Sequence, residues 1–369
     1  MELTKLNASG FRNLTSCSLT FAPGINVFSG LNGQGKTNLL EAVYICAMGR
    51  SWRTKNEREF INFGFPEREA FLYAETSRAN GAFNDCIAVN IKRDEKKIIN
   101  VNKTPVKRLG ELLGTLLTVV FTPYDLSLVR GGPSERRKFM DVELCQLNRI
   151  YYYELKQYYH ILKQRNALLK NIKKDGGRND ALGAWDFMIV GHGIKIMERR
   201  AEFIEKINRI ASGIHAEISG KKEKLEILYK PNASAKEFLT RLTRSAEKDV
   251  FTGQTSVGVH KDELVYLING QDARIYGSQG QQRLACLSSK LAEIEIIREE
   301  KGEDPVLLLD DALSEFDAPR QKYLLQSIEG IQTLMTVTGA ESAGLNLCSG
   351  KKTRVKRFTV SGGEIAEES

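Results

Sequence analysis

The sequence has little that could staple, chelate or anchor. Its six cysteines, Cys17, Cys46, Cys86, Cys145, Cys286 and Cys348, stand without a paired spacing, and its four histidines are equally dispersed. That excludes a disulfide framework and the usual zinc patterns. No apolar run approaches the roughly 20 residues of a membrane span. The opening segment MELTKLNASG lacks the basic and apolar blocks of a secretory leader. No internal repeat is visible. These absences make a reduced, cytoplasmic protein the expectation.

What is present is a chain of 369 residues, 41% hydrophobic, enough for a sizeable core in one large or two ordinary domains. Lys plus Arg outnumber Asp plus Glu by 54 to 46, a net charge of +8. That excess is compatible with a polyanionic partner without establishing one.

The chemistry concentrates in FSGLNGQGKTNLLEAV, Phe28 to Val43, where Gly30, Gly33 and Gly35 precede Lys36 and Thr37. Glycines at this spacing let the backbone curl so that successive N–H groups converge on an anion, and a helix starting near Lys36 adds its positive dipole end. Lys36 is placed to reach terminal phosphates and the Thr37 hydroxyl to hold Mg²⁺, the phosphate-loop pattern. The flanks agree. Ile25, Val27 and Phe28 read as a short buried strand entered through the turn Ala22-Pro23-Gly24, and Leu39, Leu40, Val43 and Met48 recur at helical spacing. The chain is expected to bind a nucleoside triphosphate.

Two later segments match that site. Val306 to Leu309 form an apolar run ending in Asp310-Asp311. A buried strand that delivers carboxylates at its C-terminal end is how phosphate-loop ATPases hold a metal beside the phosphates. Asp310 is the metal-side candidate and Asp311 the candidate to polarise an attacking water. Upstream, Ser278, Gln279 and Gly280 open a helix whose apolar face is Leu284, Leu287, Leu291 and Ile294. A serine hydroxyl and free amides there make a second anion site. If the two anion sites cannot meet within one subunit, they meet across a dimer.

Between them, Ser134 to Lys174 contains neither proline nor glycine. It reads as one amphipathic helix of about 40 residues, roughly 60 Å long, with Ser134 as its N-cap. After a break at DGGRND, a second helical run covers about Ala181 to Ile218. The expectation is an αα-hairpin arm on the head. Strands are expected around Ala70–Glu75, Ile87–Lys92 and Lys97–Val101, the last two joined by a hairpin at Arg93 to Lys96. The expected domains are 1–133 and 251–369, two parts of one ATPase head, and 134–250, the helical arm. Candidate basic surfaces are Arg136, Arg137 and Lys138 at the arm's root, Arg199-Arg200, and the tail from Lys351 to Arg357.

Taken in order, FRN at Phe11–Asn13, the phosphate loop, GRSWRT at Gly49–Thr54, VVFTPYDLSLVRGGPSERRKFMD at Val119–Asp141, VGVHKDEL at Val257–Leu264, GSQGQQR at Gly277–Arg283 and LLLDDALSEFD cover nearly the whole chain. This series resembles the DNA-handling ATPase heads of the ABC class, the SMC-like proteins, and within them the RecF family of bacterial recombination mediators. The resemblance implies an α/β fold, an ABC-type head with mixed β-sheet, carrying a helical arm. It also implies an ATP-dependent head-to-tail homodimer, slow ATP hydrolysis with Mg²⁺, binding to duplex and gapped DNA, and work with RecO and RecR in loading RecA during repair and replication restart. By position it makes Gly30, Leu31, Asn32, Gly33, Gln34, Gly35, Lys36 and Thr37 the phosphate loop. Ser278, Gln279, Gly280 and Gln281 become a signature offered in trans. Asp310 and Asp311 are the strand-end acids, Ser314 to Asp317 the loop facing the opposite nucleotide, and Arg12 a basic position near the nucleotide.

Tyr124 stands where the family favours an acid, Val259 and Lys261 depart from its Gly-Pro-His-Arg-Asp-Asp run, and TLMTVTGA at Thr333–Ala340 offers no switch histidine. A lysine lacks the planar fork of arginine, which weakens any bidentate contact made there. A transporter ATPase fits poorly with the long helical insertion. A full SMC protein needs a far longer coiled coil, and a GTPase needs an aspartate that Asn102-Lys103-Thr104-Pro105 does not supply. The live alternative is another SMC-like or ABC-class ATPase acting as a nucleotide-gated DNA clamp in which hydrolysis is incidental.

Overall fold

The computed structural model describes residues 1–64, 68–78, 81–175, 181–338 and 354–368. Along the chain run β1 (Glu2–Phe11), β2 (Leu14–Thr20), β3 (Ile25–Ser29), α1 (Lys36–Met48), β4 (Glu69–Arg78), β5 (Phe83–Lys92), β6 (Ile98–Val101), β7 (Thr104–Pro105) and β8 (Thr118–Phe121). Then follow α2 (Ser127–Arg130), α3 (Pro133–Leu147), α4 (Arg149–Asp175), α5 (Ala181–Ile218), β9 (Leu225–Lys230), α6 (Phe238–Arg244), α7 (Ala246–Thr252), β10 (Glu263–Ile268) and β11 (Gln271–Asp272). The chain closes with α8 (Gln279–Lys301), β12 (Val306–Asp310), α9 (Ala318–Ser327), β13 (Thr333–Val337), β14 (Val355–Ser361) and β15 (Glu364–Glu367).

These elements fall into two compact units, residues 1–125 with 293–369, and residues 126–292. The boundaries expected from sequence were 134 and 250, which would have left Ser278 with the head; the division places it in the second unit.

In the first unit, β3 is a central strand because four of its five residues are fully buried. It is flanked by β13 and β14, both parallel to it, in the sheet β15-β14-β3-β13-β12-β8. All neighbours there are parallel except the edge pair β14–β15. Strands buried on both faces read as continuous apolar runs rather than alternations, and Val306–Leu309 is such a run. The other sheet, β2-β1-β4-β5-β6-β7, is antiparallel throughout. Its β4 shows the alternation of a one-sided strand, with Ala70, Leu72, Ala74 and Thr76 inward. Helix α1 packs against strands of both sheets, so eleven of its thirteen residues are buried. The expected β5–β6 hairpin is present.

The second unit is helical, with the small antiparallel sheet β11-β10-β9. Here the single long helix is corrected. The chain leaves helical geometry at Asn148 (φ −141°, ψ 108°), and the Asn148 Oδ1 accepts from the N–H groups of Ile150 at 2.8 Å and Tyr151 at 3.0 Å. Asn148 is therefore the N-cap that starts α4, a local bond that competes with helix continuation. Ser134 is not a cap either: Gly132 precedes α3, and Pro133 occupies its first turn. Helices α4 and α5 run antiparallel, as the pairs Tyr151–Arg200, Glu154–His192 and Arg165–Asp186 require. The expected DGGRND turn lies, except for Asp175, outside the described residues. No helix among the described residues is long and apolar enough to cross a membrane, and the five described cysteines are free.

Candidate functional site

The first unit builds the phosphate loop between the end of β3 and the start of α1. Gly35 caps α1 with φ 117°, and Gly33 has φ 81°, both in the region that L side chains avoid. Gly30 is small for a second reason: a Cβ there would sit 2.3 Å from the Val360 carbonyl oxygen of β14. Among the described residues, no acceptor is met by the backbone N–H groups of Gly33, Gln34 and Gly35. Unpaired amides at a helix N-terminus are the elementary anion site. The Lys36 ammonium donates to the carbonyls of Gly30 at 2.5 Å and Leu31 at 3.1 Å, so it is held over the loop's entry.

The strand-end acids meet this loop directly. Thr37 Oγ1 donates to Asp310 Oδ1 at 2.7 Å. From the neighbouring strand, Thr336 Oγ1 donates to the same oxygen at 3.1 Å and accepts the Asp311 N–H at 2.9 Å. One threonine thus orients both acids. Asp311 bends the chain out of the strand in left-handed geometry (φ 51°, ψ 27°), and among the described residues its buried Oδ1 meets no hydrogen-bond partner. Burial pushes the Asp310 carboxyl above its ordinary range, and the Thr37 and Thr336 hydroxyls and the Arg53 guanidinium oppose that rise, while Asp311 adds to it. The Thr37 hydroxyl and the Asp310 carboxylate, 2.7 Å apart, are hard oxygen donors of the kind Mg²⁺ takes; they would hold the ion, which would supply charge neutralisation to phosphate oxygens.

Support for the loop comes from residues far away in sequence. Arg12 donates to Glu41 of α1 through Nε at 3.1 Å and Nη2 at 2.8 Å, with its guanidinium 5.4 Å from the centre of the Phe60 ring. The buried Glu41 also accepts from Ser51 Oγ at 2.5 Å and Arg53 at 3.3 Å. Arg12 in this structure holds the helix that carries Lys36 and Thr37. Asn13 reaches the Gly33 carbonyl at 3.4 Å and accepts from Asn38 at 2.8 Å. The β14–β15 hairpin closes on the loop from the other side: Gly362 N donates to Gln34 Oε1 at 2.6 Å and Gly363 N to Gln34 O at 3.0 Å. Sequence reading took Gln34 only as a loop position; its partner stands 328 residues away, and no local pattern announces it. Glu41, Arg53 and Thr336 were likewise missed as site residues.

In the second unit, Ser278 is exposed at the start of α8. Ser278 N donates to Gln281 Oε1 at 2.9 Å and Ser278 Oγ accepts from Gln281 N at 3.2 Å, a reciprocal capping box. The Gln281 amide also donates to Glu223 at 2.9 Å, so the signature is braced against its own unit. Gly277 cannot be larger, since a Cβ would lie 2.5 Å from the Ala273 carbonyl oxygen.

The basic surfaces change most. Arg136 is 4% exposed. It makes a two-pronged ion pair with Glu263 at 2.7 and 3.0 Å and donates to the Gly131 carbonyl at 2.8 Å. Arg200 is fully buried between Asp141 and Asp262, each at 2.8 Å. Neither guanidinium can meet a nucleic acid, and both are corrected from the candidate surfaces; each neutralises carboxylates that share its interior. Arg137 donates to the Asp262 carbonyl at 2.8 Å, and Lys138 is exposed. Residues 351–353 of the basic tail lie outside the described residues. Of the departures from the family pattern, Tyr124 is 74% exposed and Val259 fully buried, and Lys261 is exposed.

The RecF/RecN/SMC N terminal domain family matches residues 2–338. The DNA replication and repair protein RecF of Lachnoclostridium phytofermentans is 42% identical over 341 residues, 92% of this chain and 94% of that one. The RecF of Lachnospira eligens is 39% identical over 371 residues, covering all of both chains. Among solved structures, the recombination mediator protein RecF-ATPrS in the RecFOR pathway has a TM-score of 0.90 at 36% identity, covering 100% of this chain and 98% of that one. An SMC head bound to the C-winged helix domain of ScpA, at a TM-score of 0.60 and 15% identity, shares the fold alone.

Proposed function

The chain belongs to the RecF/RecN/SMC N-terminal domain family, at the level of the RecF proteins; from that premise we propose that it is an ATP-binding DNA replication and repair protein that dimerises on ATP and holds DNA. The carrying observation is the 2.7 Å bond from Thr37 to Asp310. It joins the phosphate loop to the strand-end acids in one preformed nucleotide site. Lys36 and the free amides of Gly33 to Gly35 bind the phosphates, and Asp311 orients the water that attacks the terminal phosphorus as its bond to the β-phosphate oxygen breaks and ADP leaves. Hydrolysis is slow and resets the dimer. Ser278, Gly280 and Gln281 dock on the terminal phosphate of a second copy. In that state the protein binds duplex and gapped DNA and works with RecO and RecR to place RecA on single strands.

The test is Ser278→Arg, which sets a bulky cation where the second copy's γ-phosphate docks. The variant is expected to bind ATP normally, stay monomeric with ATP by light scattering, and lose ATP-enhanced DNA affinity. Normal ATP-dependent dimerisation of this variant would sink the trans arrangement. DNA affinity measured with ATP, a non-hydrolysable analogue and ADP separates a clamp from a turnover enzyme: a clamp binds equally with the first two.

A further inference from the structure

With Arg136 and Arg200 buried, one set of exposed cations in the second unit forms an ordered row. Arg149, Lys156, Lys163 and Lys170 follow one another at seven-residue intervals along α4, and Lys174 extends the series; all five are exposed. At 100° per residue they fall within an arc of about 60°, and Tyr153 and His160, also exposed, widen it to about 100°. From Arg149 to Lys174 the row is about 40 Å long. The opposite face of α4 is the buried one, carrying Tyr151, Tyr158, Ile161, Leu162, Arg165 and Leu169. The acid Glu154 is turned to that side, buried against His192 and Lys195. Among the described residues, none of the five cations is in an ion pair.

A solvated helix normally interleaves both signs of charge, because pairs of opposite sign at i, i+4 stabilise it and like charges repel. A row of one sign forgoes those pairs, and at Lys170 and Lys174, four residues apart, the like charges repel; an anion of matching length supplies the missing partners. Duplex DNA is that anion: it is stiff on this scale and carries one charge per roughly 1.7 Å of axis. A flexible single strand would not need a straight, rigid row. Resting on the DNA-binding reading above, we propose that the outward face of α4 is the surface that tracks a duplex phosphate backbone, with Arg149, Lys156, Lys163, Lys170 and Lys174 as the contacting cations and no base readout.

The experiment uses the full chain and a 30-base-pair duplex followed by fluorescence anisotropy across a salt series. The variant is Lys156→Gln with Lys163→Gln and Lys170→Gln. The control, Lys222→Gln with Lys230→Gln and Lys236→Gln, removes the same charge from exposed positions of the same unit. ATP affinity checks that both fold. Three lost phosphate contacts should lower the log–log salt slope by about 2.7, which is an affinity loss on the order of 500-fold at 0.1 M salt. The control should change the slope by less than about 1. An unchanged slope in the row variant, or equal losses in both, overturns the proposal while leaving DNA binding in place. A parent chain that binds no duplex with any nucleotide refutes the DNA reading and this surface together.

Discussion

Gly363→Ala tests whether the phosphate loop depends on the far end of the chain. Gly363 has φ +85°, and a Cβ there would lie 2.0 Å from the Asn13 carbonyl oxygen. The left-handed backbone alone costs an alanine about 1–2 kcal/mol. The overlap adds something different in kind. Ordinary contact needs more than 3 Å, so the turn must retreat by roughly an ångström, taking with it the bonds from Gly362 and Gly363 to Gln34. Two neutral hydrogen bonds at about 1 kcal/mol each hold the loop in its binding shape. Losing both, about 2 kcal/mol, is expected to weaken ATP by about 30-fold, since 1.4 kcal/mol is one decade. Gly330→Ala supplies the matched control: Gly330 has φ +82° with nothing among the described residues within 4 Å of the added methyl. Both variants should melt earlier than the parent; only Gly363→Ala should lose ATP affinity, measured by calorimetry. Equal ATP affinity in the two would refute the view that this hairpin positions the loop.

Three further outcomes follow from the same geometry. Burial raises the Asp310 carboxyl, so its contribution to stability is full below the unfolded pKa and is lost as pH rises through the folded one; Asp310→Asn should therefore raise the melting temperature at pH 7 without nucleotide, while abolishing the extra stabilisation by ATP with Mg²⁺. His260 is pushed down to about 4, chiefly by burial, and its Nε2 faces the Thr255 carbonyl while Nδ1 faces the Tyr158 hydroxyl, a neutral tautomer. The unfolded chain takes up that proton first, so between pH 6.5 and 4 the fold should give up on the order of 3 kcal/mol, and His260→Gln should flatten that part of a melting-temperature profile. Arg136→Ala should cost about 2–4 kcal/mol by denaturant titration, because it strands Glu263 and buried carbonyls, and should leave the salt slope of DNA binding unchanged; a flattened slope in a stable variant would return Arg136 to the DNA surface.

How much was legible differs from one part of the site to the next. The loop from Gly30 to Thr37 could be read directly because its geometry is local: glycines fix the positive φ values, and the next residue starts a helix. The strand ending at Asp310 was legible for the same reason, as an apolar run with acids at its end. The break at Asn148 was available too, as a cap residue within QLNRIYY, but an unbroken helical pattern hid it. Tertiary structure alone decided which cations face water. Arg136 and Lys138 are two residues apart on one helix, yet one is buried on Glu263 and the other exposed. The same holds for the seven-residue row on α4, where sequence shows periodicity but not which side is covered. It holds again for Gln34, held by Gly362 from a strand turn at the other end of the chain. Backbone conformation depends on neighbours a few residues away, so the sequence by itself determined the loop, its helix and the acids. The fate of a charge depends on what is packed against it from distant segments, and that was settled only when the sheets and helices came together.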